Sequence, residues 1–326
     1  MMMKARLWLV GWLCASVALA HAQTLTWVST VSGTLVYAMN SNATVLVGYS
    51  TSQWTYAFRW TRATGEQQLP VPPGTLAVMA RGVSEDGTMI AGSYVLSGGQ
   101  GWKPIVWRVQ GSTITYHLLP TLPDVPPSES YLVQGISGDG RLVVAHIGTP
   151  YGACYWLDGQ VYRLPAAAGD ARGVTRTGIV FGSSYRWTLE RGIERLPVAP
   201  GWITQCLSPD GRYGSGSATN NQIMYFDPCG GVSLGSAPGG GYGAGTAISD
   251  DGRIVVGYQR NVGAIRWRRE NGFLDGIEIL NNVFAPYLGG AYLISANAIS
   301  ADGRYIAGQG AISGQRRAYL LDTNGR

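Results

Sequence analysis

Apolar positions alternate over short segments, and each segment is broken by a turn signal. The clearest case is Ala247-Ile-Ser-Asp-Asp-Gly-Arg-Ile-Val-Val-Gly257. Closely matching phrases span Gly82–Gly92, Gly135–Ala145, Cys206–Gly216 and Ala298–Gly308, with degraded copies at Ala38–Gly48 and Gly173–Gly182. A second phrase follows each and ends in an aromatic at Trp60, Trp107, Trp156, Trp187, Phe226 and Trp267; the last copy, Ala318–Leu321, has lost it. A third phrase closes most units in Leu-Pro: Leu69-Pro70, Leu119-Pro120, Leu164-Pro165 and Leu196-Pro197. The equivalent residues Asn40, Ser84, Ser137, Thr175, Ser208, Ser249 and Ser300 are spaced by about 43 residues on average, the length of a four-stranded propeller blade.

Each unit therefore reads as four strands, a to d. Strand a ends at Ile/Val-Ser, and Asp-Gly makes the a–b hairpin. There Gly takes a positive φ without steric cost, and the short Asp and Ser side chains bond nearby backbone. The pairs are Asp86-Gly87, Asp139-Gly140, Asp210-Gly211, Asp251-Gly252 and Asp302-Gly303. Strand b runs to a recurring Gly that allows backbones to approach closely. Strand c carries the aromatic, expected between adjacent blades, and Pro stops strand d. The final unit lacks strand d, and Trp27–Gly33 matches the spacing of Gln68–Gly74. The expected fold is all-β, a seven-bladed β-propeller closed by the N-terminal strand, which removes exposed sheet edges.

Composition agrees with this reading. Only 13% of residues are charged, 47 of 326 are Gly, and Tyr (18) and Trp (11) far outnumber Phe (5). Few charges and many glycines argue against a helical bundle and against disorder. Lys4 and Arg6 precede an apolar run, Leu7 to Ala20, and then Ala20-His21-Ala22. This is the pattern of a secretory signal peptide over residues 1–22, too short for a membrane span, with the propeller over residues 23–326. No later stretch is apolar enough to span a bilayer, so an exported protein, extracellular or periplasmic, is expected. Without the leader 22 basic residues face 19 acidic ones, a net +3. The densest basic run, Arg266 to Arg269, is short and followed by Glu270, so no nucleic-acid partner is expected. Cys154, Cys206 and Cys229 remain; either Cys206 pairs with Cys229 or all three are reduced and buried.

The paired phrases resemble the HAF repeats of bacterial exported proteins, named for a His-Ala-Phe run before a Trp. The nearest match is Tyr56-Ala57-Phe58-Arg59-Trp60, and the A-x-S-x-D-G…G…A-x-x-W skeleton covers nearly all of residues 34–321. The resemblance implies export and a repeat fold and says little about activity. Ser208-Pro-Asp-Gly-Arg212 also looks like the repeat of periplasmic TolB-type propellers.

No catalytic constellation, metal site or cofactor is predicted. His117 and His146 are the only histidines outside the leader, and the thiols are too scattered for zinc. The S-x-D-G phrases lack the Thr-Trp of sialidase Asp-boxes and the ligand run of a calcium loop. What varies between units is the b–c and d–a connections, which share one face. They hold Tyr49, Trp54, Tyr94, Trp102, Tyr131, Tyr151, Trp202, Tyr242, Tyr258, Tyr287 and Tyr292. Loops on a rigid scaffold carry function, so Trp54, Trp102, Trp202, Tyr242 and Tyr258 are the candidate ligand contacts. The alternative is that these rings pack on loops and neighbouring blades. The expected function is a non-catalytic binding or cell-surface interaction module for a protein or glycan. An exported polysaccharide lyase or hydrolase on the same scaffold is the other reading, and acids, His and Arg converging on the top of the channel would favour it.

Overall fold

The computed structural model describes residues 24–98, 101–270 and 273–324; the leader assigned to residues 1–22 lies outside them. Seven four-stranded antiparallel sheets follow one another along the chain. The first blade comprises Thr34–Met39, Val45–Ser50, Ala57–Thr61 and Gly65–Gln68. The fourth is the smallest, with strands a and b reduced to Gly173–Val174 and Val180–Phe181. The seventh takes Tyr292–Ile299, Tyr305–Ile312 and Gln315–Asp322 from the C-terminal end of the chain and Thr24–Trp27 from the N-terminal end. Thr24 lies opposite Asp322 and Trp27 opposite Tyr319, so the expected closure is present.

The a–b turns repeat one hydrogen-bond pattern. The Ser84 hydroxyl donates to Asp86 Oδ1 at 2.6 Å, Thr88 N–H donates to the same oxygen at 2.9 Å, and Met89 N–H donates to Ser84 Oγ at 2.9 Å. Burial pushes the Asp86 carboxyl up, but the bonds from Ser84 and Thr88 outweigh it and hold the group below its ordinary range. The other four Ser/Asp pairs are built alike. Each turn glycine has a positive φ, 69° at Gly252 and 77° at Gly303, and lies against the preceding blade. A Cβ on Gly252 would fall 2.2 Å from the Tyr213 ring, and one on Gly303 would fall 2.4 Å from Ile254. Gly252→Val and Gly303→Val should each cost about 1–2 kcal/mol in backbone strain, with steric overlap added, read as a drop in thermal midpoint. An unchanged midpoint would mean that the turn tolerates a β-branched residue.

The core is a series of inter-blade seams. Trp107, Trp156 and Trp267 are fully buried, and Trp60 and Trp187 nearly so. Trp107 Nε1–H donates to the Pro70 carbonyl at 2.7 Å, and Trp156 Nε1–H to that of Pro120 at 2.8 Å. The aromatic of one blade is thus tied to the Leu-Pro that ends the blade before it. The Leu of that pair is buried at Leu69, Leu164 and Leu196.

Three expectations need correction. Cys206 and Cys229 are not paired: Cys206 is buried on the innermost strand, Ile203–Leu207, whereas Cys229 is exposed in the outer c–d turn. Nor are all three thiols buried. Tyr94 and Tyr131, read as loop aromatics, are core residues. Strand b of the second blade continues to Leu96 and carries Tyr94 into a seam. Tyr131 stacks obliquely on Trp156 at 6.2 Å and accepts a hydrogen bond from Leu122 N–H at 3.0 Å, which draws the Asp124–Tyr131 segment onto the blade.

Candidate functional site

Strand a of each blade faces the central channel, and in all but the fourth it contains an irregularity. Ladder pairing skips between Val36 and Ala38, Ala80 and Gly82, Val133 and Gly135, Thr204 and Cys206, Gly245 and Ala247, and Ala296 and Ala298. Each skip is a β-bulge, which re-aims the extra residue out of the ladder. The recurring strand-b glycine sits across from it: a Cβ on Gly48, Gly92 or Gly216 would meet a strand-a carbonyl oxygen at 1.9 Å. The close approach expected of this glycine is therefore made within its own blade.

The extra residues are Tyr37, Arg81, Gln134, Gln205, Thr246 and Asn297, and Arg172 holds the equivalent place in the fourth blade. Each stands three residues before its turn Ser, Thr or Asn, and all seven line one central cavity of about 940 Å³. Every one is polar, and none is acidic. Towards the a–b turns a second ring of seven lines the channel: Met39, Val83, Ile136, Val174, Leu207, Ile248 and Ile299. At the a–b mouth, backbone bonds link neighbouring blades: Glu85 N–H to Gly138 O at 2.8 Å, Gly138 N–H to Arg176 O at 2.8 Å, Asp250 N–H to Ala301 O at 3.1 Å and Ala301 N–H to Ser41 O at 2.8 Å. Arg176 and Asp250 form an ion pair there.

The polar ring is partly self-satisfied. Asn297 Nδ2 donates to Val36 O at 2.9 Å, and Thr246 Oγ1 donates to Ala296 O at 2.5 Å. Arg172 Nε pairs with Asp170 at 2.9 Å. The Arg81 guanidinium lies over the Tyr37 ring at 4.7 Å and donates from Nη1 to Gln134 Oε1 at 3.0 Å. Its Nε is buried with no hydrogen-bond partner, and among the described residues no carboxylate pairs with it. Burial raises the neighbouring Tyr49 phenol, and Arg81 opposes that shift.

At the opposite mouth the cavity is lined by His146, Asp170, Arg172, Tyr49 and Tyr258. Burial raises the Asp170 carboxyl, but the hydrogen bonds from Ser183 and Arg172 prevail and hold it low. Half-buried His146 has an unpartnered Nδ1, and burial lowers its pKa against the pull of Asp170. The Ser183 hydroxyl donates to Asp170, not to His146, so this is not a Ser-His-Asp relay.

All five candidate aromatics lie on the b–c and d–a side, but Tyr258, expected in a connection, is on strand b (Ile254–Gln259), and the five do not form one cluster. Only Tyr242 and Tyr258 meet, with centroids 6.1 Å apart. Tyr258 borders the cavity, and its phenol is pushed up to about 12, first by burial and then by Tyr242. Trp54 is 57% exposed and stands in the b–c loop of the first blade. Trp102 is half-buried, its backbone tied to Ser130 and Tyr131. Trp202 packs on the Leu196–Phe226 seam. The polar ring was missed in the sequence because its residue type changes in every blade. Its signal was a constant offset, three before the turn, with constant polar character.

Blades of four strands around a lined channel define a seven-bladed β-propeller. No family model matches the chain, and no curated protein matches it. Among solved structures, the Cps50 (Swd1) β-propeller domain of Myceliophteria thermophila is similar over 91% of this chain and 99% of its own, with a TM-score of 0.57 and 14% identity. U3-55K is similar over 92% and 98%, with a TM-score of 0.61 and 9% identity. At such identities the likeness is one of fold.

Proposed function

We propose that the protein is an exported, non-catalytic propeller of the HAF-repeat type that binds a protein or glycan through its b–c and d–a face. One observation carries this reading. Among the described residues the exposed aromatics are Trp54, Tyr162, Tyr242, Tyr287 and Tyr292; Trp54, Tyr242 and Tyr287 lie in connections of that face, and Tyr292 opens strand a of the seventh blade beside them. Exposed Tyr and Trp suit stacking on sugars and gripping proteins, and propellers commonly serve as protein-interaction scaffolds. The leader pattern supports export, and the ion pairs of Arg266, Arg268 and Arg269 with Glu278 and Asp227 support the absence of a nucleic-acid partner. Among the described residues no helix is long and apolar enough to cross a membrane.

Glycan and surface-protein arrays probed with the mature protein test the reading. Trp54→Ala and Tyr242→Ala should weaken the captured ligand by roughly 2 kcal/mol and leave the thermal midpoint nearly unchanged. If they destabilise as much as the strand-c Trp variants do, these rings are core and the face is not a binding surface.

The second reading, a polysaccharide lyase or hydrolase, is favoured by His146, Asp170 and Arg172 converging at the same mouth of the cavity. A hydrolase generally needs two carboxyl groups flanking the bond, and the other acids lining the cavity, Glu85 and Asp250, stand at the opposite mouth. Turnover of a polysaccharide that is lost in His146→Ala would establish this reading over the first.

A further inference from the structure

We infer that the central channel is a second binding site, separate from the loop face, which takes a small hydroxylated carboxylate such as a hexuronate with its carboxylate against Arg81. The argument starts from charge. Arg172 and Arg176 are each matched by an aspartate, whereas Arg81 has the Tyr37 ring, the Gln134 amide oxygen and the Tyr49 phenol against it and, among the described residues, no carboxylate. A guanidinium set in a protein wall without a counter-ion is costly unless an anion joins it. Its planar fork matches a carboxylate in geometry, and the Tyr37 face and Gln134 hold that fork in one orientation.

Arg172 is already held by Asp170, and the other ring positions are amides and hydroxyls, which suit the hydroxyl groups of a sugar acid. No ring residue is acidic, and the carboxylate in contact with the ring, Asp170, is paired with Arg172. The aliphatic ring on the a–b side offers a carboxylate no donor, which places the anion at the Arg81 level. The cavity volume of about 940 Å³ is ample for a ligand of this size.

This inference does not rest on the loop-face reading. The probe is glucuronate, with glucose as its uncharged counterpart, titrated calorimetrically into the full protein. Glucuronate should bind, and glucose should bind at least about tenfold more weakly, the worth of one charge-assisted contact. Gln134→Glu brings a carboxylate of the protein's own to Arg81 in a side chain of the same length, and it should cut glucuronate affinity at least about tenfold. Arg81→Gln should do the same, with circular dichroism reporting folding; if that variant fails to fold, Gln134→Glu decides alone. Trp54→Ala and Tyr242→Ala should leave glucuronate binding unchanged, which separates this site from the loop face. Absence of glucuronate binding, equal binding of glucose, or full affinity in Gln134→Glu would each overturn the assignment.

Discussion

Deletion of residues 24–33 should abolish the stable closed ring. This segment is the outermost strand of the seventh blade and also its link to the first. Beyond the ladder from Thr24 to Trp27, Val28 N–H donates to Ala318 O at 3.0 Å and Gly33 N–H to Arg316 O at 2.8 Å. Val28 is buried, Leu25 and Trp27 pack on the seam of the seventh blade, and Ser29 bonds to Glu66 of the first. At about 1.5–3 kcal/mol for each buried apolar side chain, the lost contacts approach roughly 5 kcal/mol, the lower end of a whole domain's stability. The deletion also bares the edge of Gln315–Asp322, an invitation to intermolecular pairing. Thermal denaturation and size-exclusion chromatography should show a large fall in midpoint and new association. A truncated protein melting like the parent would refute closure by this strand.

Trp107→Ala should cost about 3–5 kcal/mol, and Trp267→Ala a similar amount. Both indoles are fully buried, Trp267 against Tyr225 with centroids 5.0 Å apart, and each fills a seam between two blades. The loss should therefore loosen a junction as well as a single sheet. Trp107→Phe keeps most of the packing but leaves the Pro70 carbonyl without its donor, and it should cost about 1–2 kcal/mol. Chemical denaturation measures both, and equal losses in the Ala and Phe variants would show that the hydrogen bond, not the volume, dominates.

The contrast between what the chain announces and what it conceals follows from its repetition. Ser249, Asp251 and Gly252 could be read as a turn because every blade must solve the same hairpin with similar residues. The strand-c aromatic was legible for the same reason, since six of the seven units place a large ring there. Tyr94 and Tyr131 misled because strand length varies between blades, so a position counted as loop in one unit is strand or core in another. The Cys206–Cys229 distance in sequence says nothing of radial position, and one thiol faces the innermost seam while the other sits on the rim. The channel ring escaped notice because comparing units by identity discards the position that differs each time.

The bulge behind that ring separates two kinds of information. A residue outside ladder pairing, opposite a glycine, can change type without disturbing its neighbours' hydrogen bonds, so the lining can vary while the barrel of blades stays constant. The seven positions form a word spelled at fixed offsets from the turn residues, here Tyr-Arg-Gln-Arg-Gln-Thr-Asn. Any chain built on this repeat carries such a word, readable before its structure is known, and two chains that spell it alike present the same interior chemistry however their loops differ.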